Sequence, residues 1–169
     1  MQRWSMGAIA IPLVVAVWWP PARAWAEGST LTTVKTGACA LMTAADAGRL
    51  WNVPMQIEPV APGQDFPGRA CVYRPLGPDA GRRTVQFRLL DAREWAELEA
   101  RTFGKAGTAD VNGIGDEAYF VKVKRASRVS ELVLFARRGK SQFSVRVAGT
   151  GVRLTEALKQ VGRSVAERL

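Results

Sequence analysis

Residues 118–148 read AYFVKVKRASRVSELVLFARRGKSQFSVRVA, and this stretch decides the fold. Three runs rich in Val, Phe and Tyr, at 118–125, 131–137 and 141–148, are separated by polar turns. Short runs of β-branched and aromatic residues punctuated in this way predict a three-strand antiparallel meander. The outer strands alternate, so Tyr119, Val121 and Val123, then Phe143, Val145 and Val147, are expected to point one way. Leu132, Val133, Leu134 and Phe135 run apolar without alternation, which predicts a middle strand buried more deeply than its neighbours.

Working outward, the chain after the meander carries Leu154, Leu158, Val161, Val165 and Leu169 on one helical stripe. Before the meander, 69–74 and 84–90 read as two strands joined by the Pro75–Gly81 turn region, with Cys71, Tyr73, Val85, Phe87 and Leu89 on one face. Asp91 with Glu94 three residues later restarts the chain as a helix bearing Trp95, Leu98, Thr102 and Phe103, and Gly104 stops it. Thr43 and Asp46 form a capping box, opening a short helix that closes on Leu50 and Trp51, with Cys39 and Leu41 just before it. Prolines and glycines make 52–68 mostly loop, with Met55–Val60 at best an edge strand. The order helix, strands, helix, strands, helix predicts an α+β fold: a mostly antiparallel sheet of about five strands with three helices packed on one face.

The N-terminus has a different character. Arg3 precedes an uncharged apolar run from Met6 to Trp19, followed by Pro20-Pro21 and Ala24-Trp25-Ala26. A cation, a short apolar run and a small-x-small exit predict a signal peptide over 1–26. The run is too short and too interrupted by Pro12 for the about 20 residues of a membrane span, so no transmembrane segment is expected after cleavage. Residues 27–37, rich in Thr, Gly and Ser, read as a flexible lead-in, and 38–169 as a single domain. Export fixes the expected location as periplasmic or extracellular. Loss of Arg3 and Arg23 lowers the formal charge from +9 to +7, so the domain itself stays basic.

The chain has two cysteines, Cys39 and Cys71, both in the exported part, where an oxidising compartment allows a disulfide. The alternative is a pair of buried free thiols. There is no histidine. Its absence removes Ser-His-Asp and Cys-His catalysis, the usual zinc ligand sets and an imidazole switch, and no cofactor is implied. Gly113-Ile114-Gly115-Asp116 lacks the third glycine, lysine and helix of a phosphate loop and reads as a tight turn feeding a strand.

Cys39-Ala40-Leu41-Met42-Thr43 before a helix, Cys71-Val72-Tyr73 opening a strand and Gly113-Ile114-Gly115-Asp116-Glu117-Ala118-Tyr119 entering the meander occur together. This set resembles a class of bacterial exported and lipoprotein domains that share Cys-x-Leu-Leu-Thr, Cys-x-Tyr and Gly-x-Gly-Asp-x-Ala features. The resemblance implies a cell-envelope location and a Cys39–Cys71 bridge. It implies no activity and no catalytic residues. The chain departs from lipoprotein members in lacking an acylated cysteine behind the apolar run.

The meander is strongly basic. Lys122, Lys124, Arg125, Arg128, Arg137, Arg138, Lys140 and Arg146 stand against the single acid Glu131, and are the candidate anion-binding residues. Asp116 and Glu117 are expected near Arg137 and Arg138, so part of this charge is internally paired. Lys122, Lys124 and Arg146 are expected to share the face opposite the apolar stripe. Without interleaved stacking aromatics, nucleic acid is a disfavoured partner. These features predict a non-enzymatic envelope protein that binds another protein or an anionic polymer. The alternatives are a small carboxylate-dependent hydrolase centred on Asp116 or Glu117, and an inhibitor or immunity-type protein. The sequence specifies no oligomeric state.

Overall fold

The computed structural model describes residues 37–58, 68–77, 83–124, 130–149 and 151–169, all within the unit Thr33–Leu169. The signal peptide expected over 1–26, the lead-in expected over 27–37 except for its last residue, the loop residues 59–67, and Arg125 and Arg128 lie outside the described residues.

Among the described residues the elements run α1 (Ala38–Leu41), α2 (Ala44–Trp51), β1 (Met55–Glu58), β2 (Ala70–Pro75), β3 (Val85–Leu90), α3 (Ala92–Arg101), β4 (Thr108–Asp110), β5 (Glu117–Lys124), β6 (Ser130–Arg138), β7 (Ser141–Ala148) and α4 (Val152–Glu167). The seven strands form one sheet in the order β1-β2-β3-β7-β6-β5-β4, and neighbours pair antiparallel. Two meanders, β1-β2-β3 and β4-β5-β6-β7, are thus joined edge to edge through β3 and β7.

The α+β class with an antiparallel sheet is as expected, but the sheet has seven strands rather than about five. Met55–Glu58 is an edge strand, and the three-residue β4 forms the other edge. β4 carries too few residues for any periodicity to register. The single helical turn α1 likewise precedes the capping box that marks α2.

The helices do not all pack on one face. α1, α2 and α4 cover one side, where Leu154, Leu158, Val161 and Val165 meet Phe87, Leu132, Leu134, Phe143 and Val145. The last member of the expected helical stripe, Leu169, lies beyond the end of α4 and is exposed. α3 connects β3 to the far edge strand β4, so it must cross the sheet, and it does so on the opposite face. There Trp95 and Phe103 pack on Leu90, Tyr119, Val121 and Phe135. This two-sided cover explains the uninterrupted apolar run of β6: Leu132 and Leu134 face α4, while Phe135 faces α3.

Both capping boxes form. Asp46 N donates to Thr43 Oγ1 while Thr43 N donates to the Asp46 carboxylate, and Asp91 with Glu94 does the same for α3. A Cys39–Cys71 disulfide, with Cα atoms 5.5 Å apart, ties α1 to β2. Tyr73, fully buried on β2, donates its hydroxyl to Met42 O at 2.5 Å beside the same junction. Among the described residues no helix is long and apolar enough to cross a membrane.

Candidate functional site: a groove between α3 and the sheet

Trp95 is the anchor of α3. Its ring lies 5.1 Å from Phe103 and 6.3 Å from Tyr119, and Phe103 stacks on Tyr119 at 4.1 Å with an 11° interplanar angle. This aromatic cluster holds the helix over β5 and β6. Among the described residues no helix covers the β2, β3 and β7 part of the same sheet face, and a groove of about 860 Å³ runs between it and the side of α3 formed by Glu94, Glu97, Leu98 and Arg101.

The strand register fixes the groove floor. One cross-strand row is Val72, Gln86, Arg146 and Val133; the next is Ala70, Arg88, Ser144 and Phe135. Each row therefore reads apolar, polar, polar, apolar across β2, β3, β7 and β6. All eight residues line the groove. Four polar side chains converge at its middle and apolar side chains flank them on both sides, which is the general construction of a ligand cleft.

The two arginines are held differently. Arg88 Nη2 pairs with Glu94 Oε1. The other oxygen of Glu94 accepts from Arg69 Nη2 at 2.8 Å and from Asp91 N at 2.9 Å. One carboxylate thus caps α3 and fixes two arginines on the sheet beneath it. These side chains are about a third exposed, so each pair stabilises the fold by no more than about 1 kcal/mol, and its effect is positional. Among the described residues Arg146 has one ion-pair partner, Glu131 at 3.9 Å, beyond hydrogen-bonding distance. Among the described residues its guanidinium makes no hydrogen bond. Ser144 is 9% exposed, lines the groove, and its hydroxyl has no hydrogen-bond partner among the described residues.

The expected basic patch does not form as a unit. Lys122 pairs across to Leu132 and Val147, which places it on the α4 face, and Lys124 shares that face. Arg146 lies on the α3 face, opposite both. The reason is the phase of β5. Ala118 and Phe120 fill the α4 side, so Tyr119 and Val121 turn towards α3 and share a face with Arg146 rather than with Val145. Arg137 pairs with Glu117 at 2.7 Å and lies 5.7 Å over the Trp95 ring. Arg138 donates to Ala166 O at the end of α4, and Lys140 sits exposed in the β6–β7 turn. The expected proximity of Asp116 and Glu117 to this end of β6 holds. Asp116 accepts from Gly139 N at 2.6 Å and donates its own N–H to Arg137 O at 2.8 Å.

Gly115 makes that turn possible. It has φ +59°, and a Cβ there would lie 2.3 Å from Arg137 O. Both candidate catalytic carboxylates are therefore engaged in turn and ion-pair contacts. Among the described residues, no group of three Cys, Asp or Glu side chains is arranged to hold a metal ion.

Gln86, Arg88 and Ser144 were not singled out in the sequence. The alternation of β3 does carry a signal for two of them: Val85 and Phe87 are buried, so Gln86 and Arg88 belong to the other face. That this face is roofed by α3 was not accessible from periodicity.

Among known proteins, no family model and no curated protein matches the chain.

Proposed function

We propose that this is a non-enzymatic binding protein of the cell envelope, exported to the periplasm or beyond, which holds an acidic or anionic partner on the open sheet face beside α3. The observation that carries this reading is the groove floor, where Arg146, held among the described residues only by a 3.9 Å ion pair to Glu131, stands beside Ser144. A cation held only by a long ion pair, and a hydroxyl beside it in the same cleft, can receive acceptor atoms. The disulfide supports the location, since such bridges persist in oxidising compartments. The motifs shared with exported domains point the same way.

The hydrolase alternative loses its support, because Asp116 and Glu117 are committed to Gly139 and Arg137. An inhibitor or immunity-type role is a special case of the binding reading, with an enzyme as the partner.

Retention on immobilised heparin, used as an anionic probe, over a NaCl gradient tests the reading. The protein should be retained, Arg146→Glu should elute at lower salt, and Lys122→Glu with Lys124→Glu should elute nearer the original position. Absence of retention, or a larger loss from the lysine pair than from Arg146→Glu, contradicts it.

A further inference from the structure

The outer side of the edge strand β1 carries chemistry that the groove does not use. Pro54 O faces β2 and accepts from Leu76 N at 3.0 Å. Backbone groups of successive residues in an antiparallel strand point alternately to its two sides, so Met55 and Ile57 turn both their N–H and their C=O away from β2. Pro75, which has no N–H to give, stands opposite Met55 in keeping with this phase. Among the described residues no strand pairs with that outer side. The strand lacks the lysines that commonly blunt an edge, and its one charge, Glu58, is paired with Arg74 on its own sheet.

Beside the same edge a recess of about 460 Å³ lies between α2 and β1, lined by Ala44, Ala45, Gly48, Val53, Pro54 and Met55. Ile57 shares the sheet face of Met55, two residues further along the strand, and is 39% exposed. An apolar knob and an apolar recess therefore sit on one edge with an offset of two residues.

We propose that β1 is the interface of a symmetric homodimer, in which two copies of this chain pair antiparallel about a two-fold axis through Gln56. In that register Met55 lies opposite the partner's Ile57, and these are the residues whose backbone groups point outward, so each donates to and accepts from the other. Side chains directly opposite on paired strands have Cβ atoms about 5 Å apart, which puts Ile57 beside the partner's Met55 and into the partner's recess. The two-fold axis makes the contact reciprocal. A shift of the register would leave Ile57 outside the recess. On the other sheet face Gln56 meets its own copy. A charged side chain there would repel itself, whereas two neutral amides offer each other a donor and an acceptor. Knob, recess and axis residue are thus complementary to a second copy of the same edge, and the two seven-stranded sheets continue as one.

A four-residue strand and one apolar side chain bury less than the about 1,200 Å² of a stable interface, so the dimer forms only at high concentration. Sedimentation velocity of the purified protein with its native disulfide intact, from about 10 μM to about 1 mM, should show monomer passing into dimer. Ile57→Lys should weaken association by about tenfold or more and leave the melting temperature unchanged, since the replaced side chain is exposed in the monomer. Cross-linking by air oxidation reads the register itself. Directly opposite residues that do not share hydrogen bonds have Cα atoms about 4.5 Å apart, within the range of a disulfide, so Gln56→Cys should join two copies. Ile57→Cys would have to reach its own copy over about 8 Å, beyond that range, and Ala109→Cys lies on the other edge strand. Gln56→Cys should therefore cross-link about tenfold or more faster than either. A protein that stays monomeric at about 1 mM, association unchanged by Ile57→Lys, or equal cross-linking of the three variants overturns the proposal.

Discussion

Arg168, at the C-cap of α4, donates from Nη1 to Oδ2 of Asp46 at 2.6 Å, joining positions 122 residues apart. The same Nη1 also donates to Leu41 O at 2.8 Å. Asp46 is 1% exposed and already receives the Thr43 backbone N–H and hydroxyl in the α2 capping box. One buried carboxylate therefore ends α4, starts α2 and fixes the segment that carries Cys39. Burial alone would push its pKa up. The Arg168 hydrogen bond, reinforced by those from Thr43, outweighs burial and holds the carboxyl below its ordinary value of 3.8.

The sign of the pH dependence follows. A carboxyl whose pKa is lower folded than unfolded contributes stability that is fully present above its unfolded pKa and is lost as pH falls through the folded one. The melting temperature should therefore fall with acidification from about pH 5 downward. Arg168→Ala should lower unfolding free energy at neutral pH by about 1–3 kcal/mol, because it strips a partner from a buried charge, and should flatten the acid dependence. Urea unfolding of both proteins at pH 7 and pH 4 measures this. An unchanged stability at pH 7 would show the contact to be energetically idle.

The disulfide closes a loop of sequence separation 32. Chain-entropy reasoning gives the bridge about 3–4 kcal/mol of stabilisation, through restriction of the unfolded chain. The Cys39→Ala, Cys71→Ala double variant should lose about that amount in denaturant unfolding. It should also free α1 and α2 more than the meander. Hydrogen exchange should quicken at Ala47 and Leu50 before it does at Leu134.

Gly162 lies inside α4, where alanine is ordinarily better by about 1 kcal/mol. Here the sign should reverse. A Cβ would sit 2.4 Å from Leu134 Cδ2 and 3.2 Å from Ile114 Cδ1, and both side chains are fully buried with no room to withdraw. Gly162→Ala should destabilise by about 1–3 kcal/mol through overpacking, measured by thermal unfolding. Stabilisation would mean that α4 can rise from the sheet at little cost.

The parts of this fold that could be read from sequence are those decided within a few residues. Thr43 with Asp46 and Asp91 with Glu94 announce their helices because both partners of each cap lie three residues apart. The shared face of Cys71, Tyr73, Val85 and Phe87 follows from alternation, and the register Cys71↔Phe87 and Tyr73↔Val85 matches it. β5 misled because both its faces are apolar over part of their length. Tyr119, Val121 and Val123 form the more regular series, yet the fully buried side is Ala118 and Phe120. Lys122 and Lys124 continue that side and look, locally, like the polar face of the strand. Only the pairing with Leu132 and Ser130 places them, and pairing is a long-range fact. The groove was illegible for the same reason, since it exists only because α3 crosses to the far edge strand.

The central claim is that the partner binds between α3 and the β2-β3-β7 face. Backbone amide shifts of the ¹⁵N-labelled protein, followed during titration with a heparin oligosaccharide, test it most directly. Shifts concentrated at Gln86, Arg88, Leu98, Ser144 and Arg146, with Lys122, Lys124 and Arg138 unmoved, are the expected result. Shifts concentrated at Lys122, Lys124 and Arg138, on the α4 face, would contradict it.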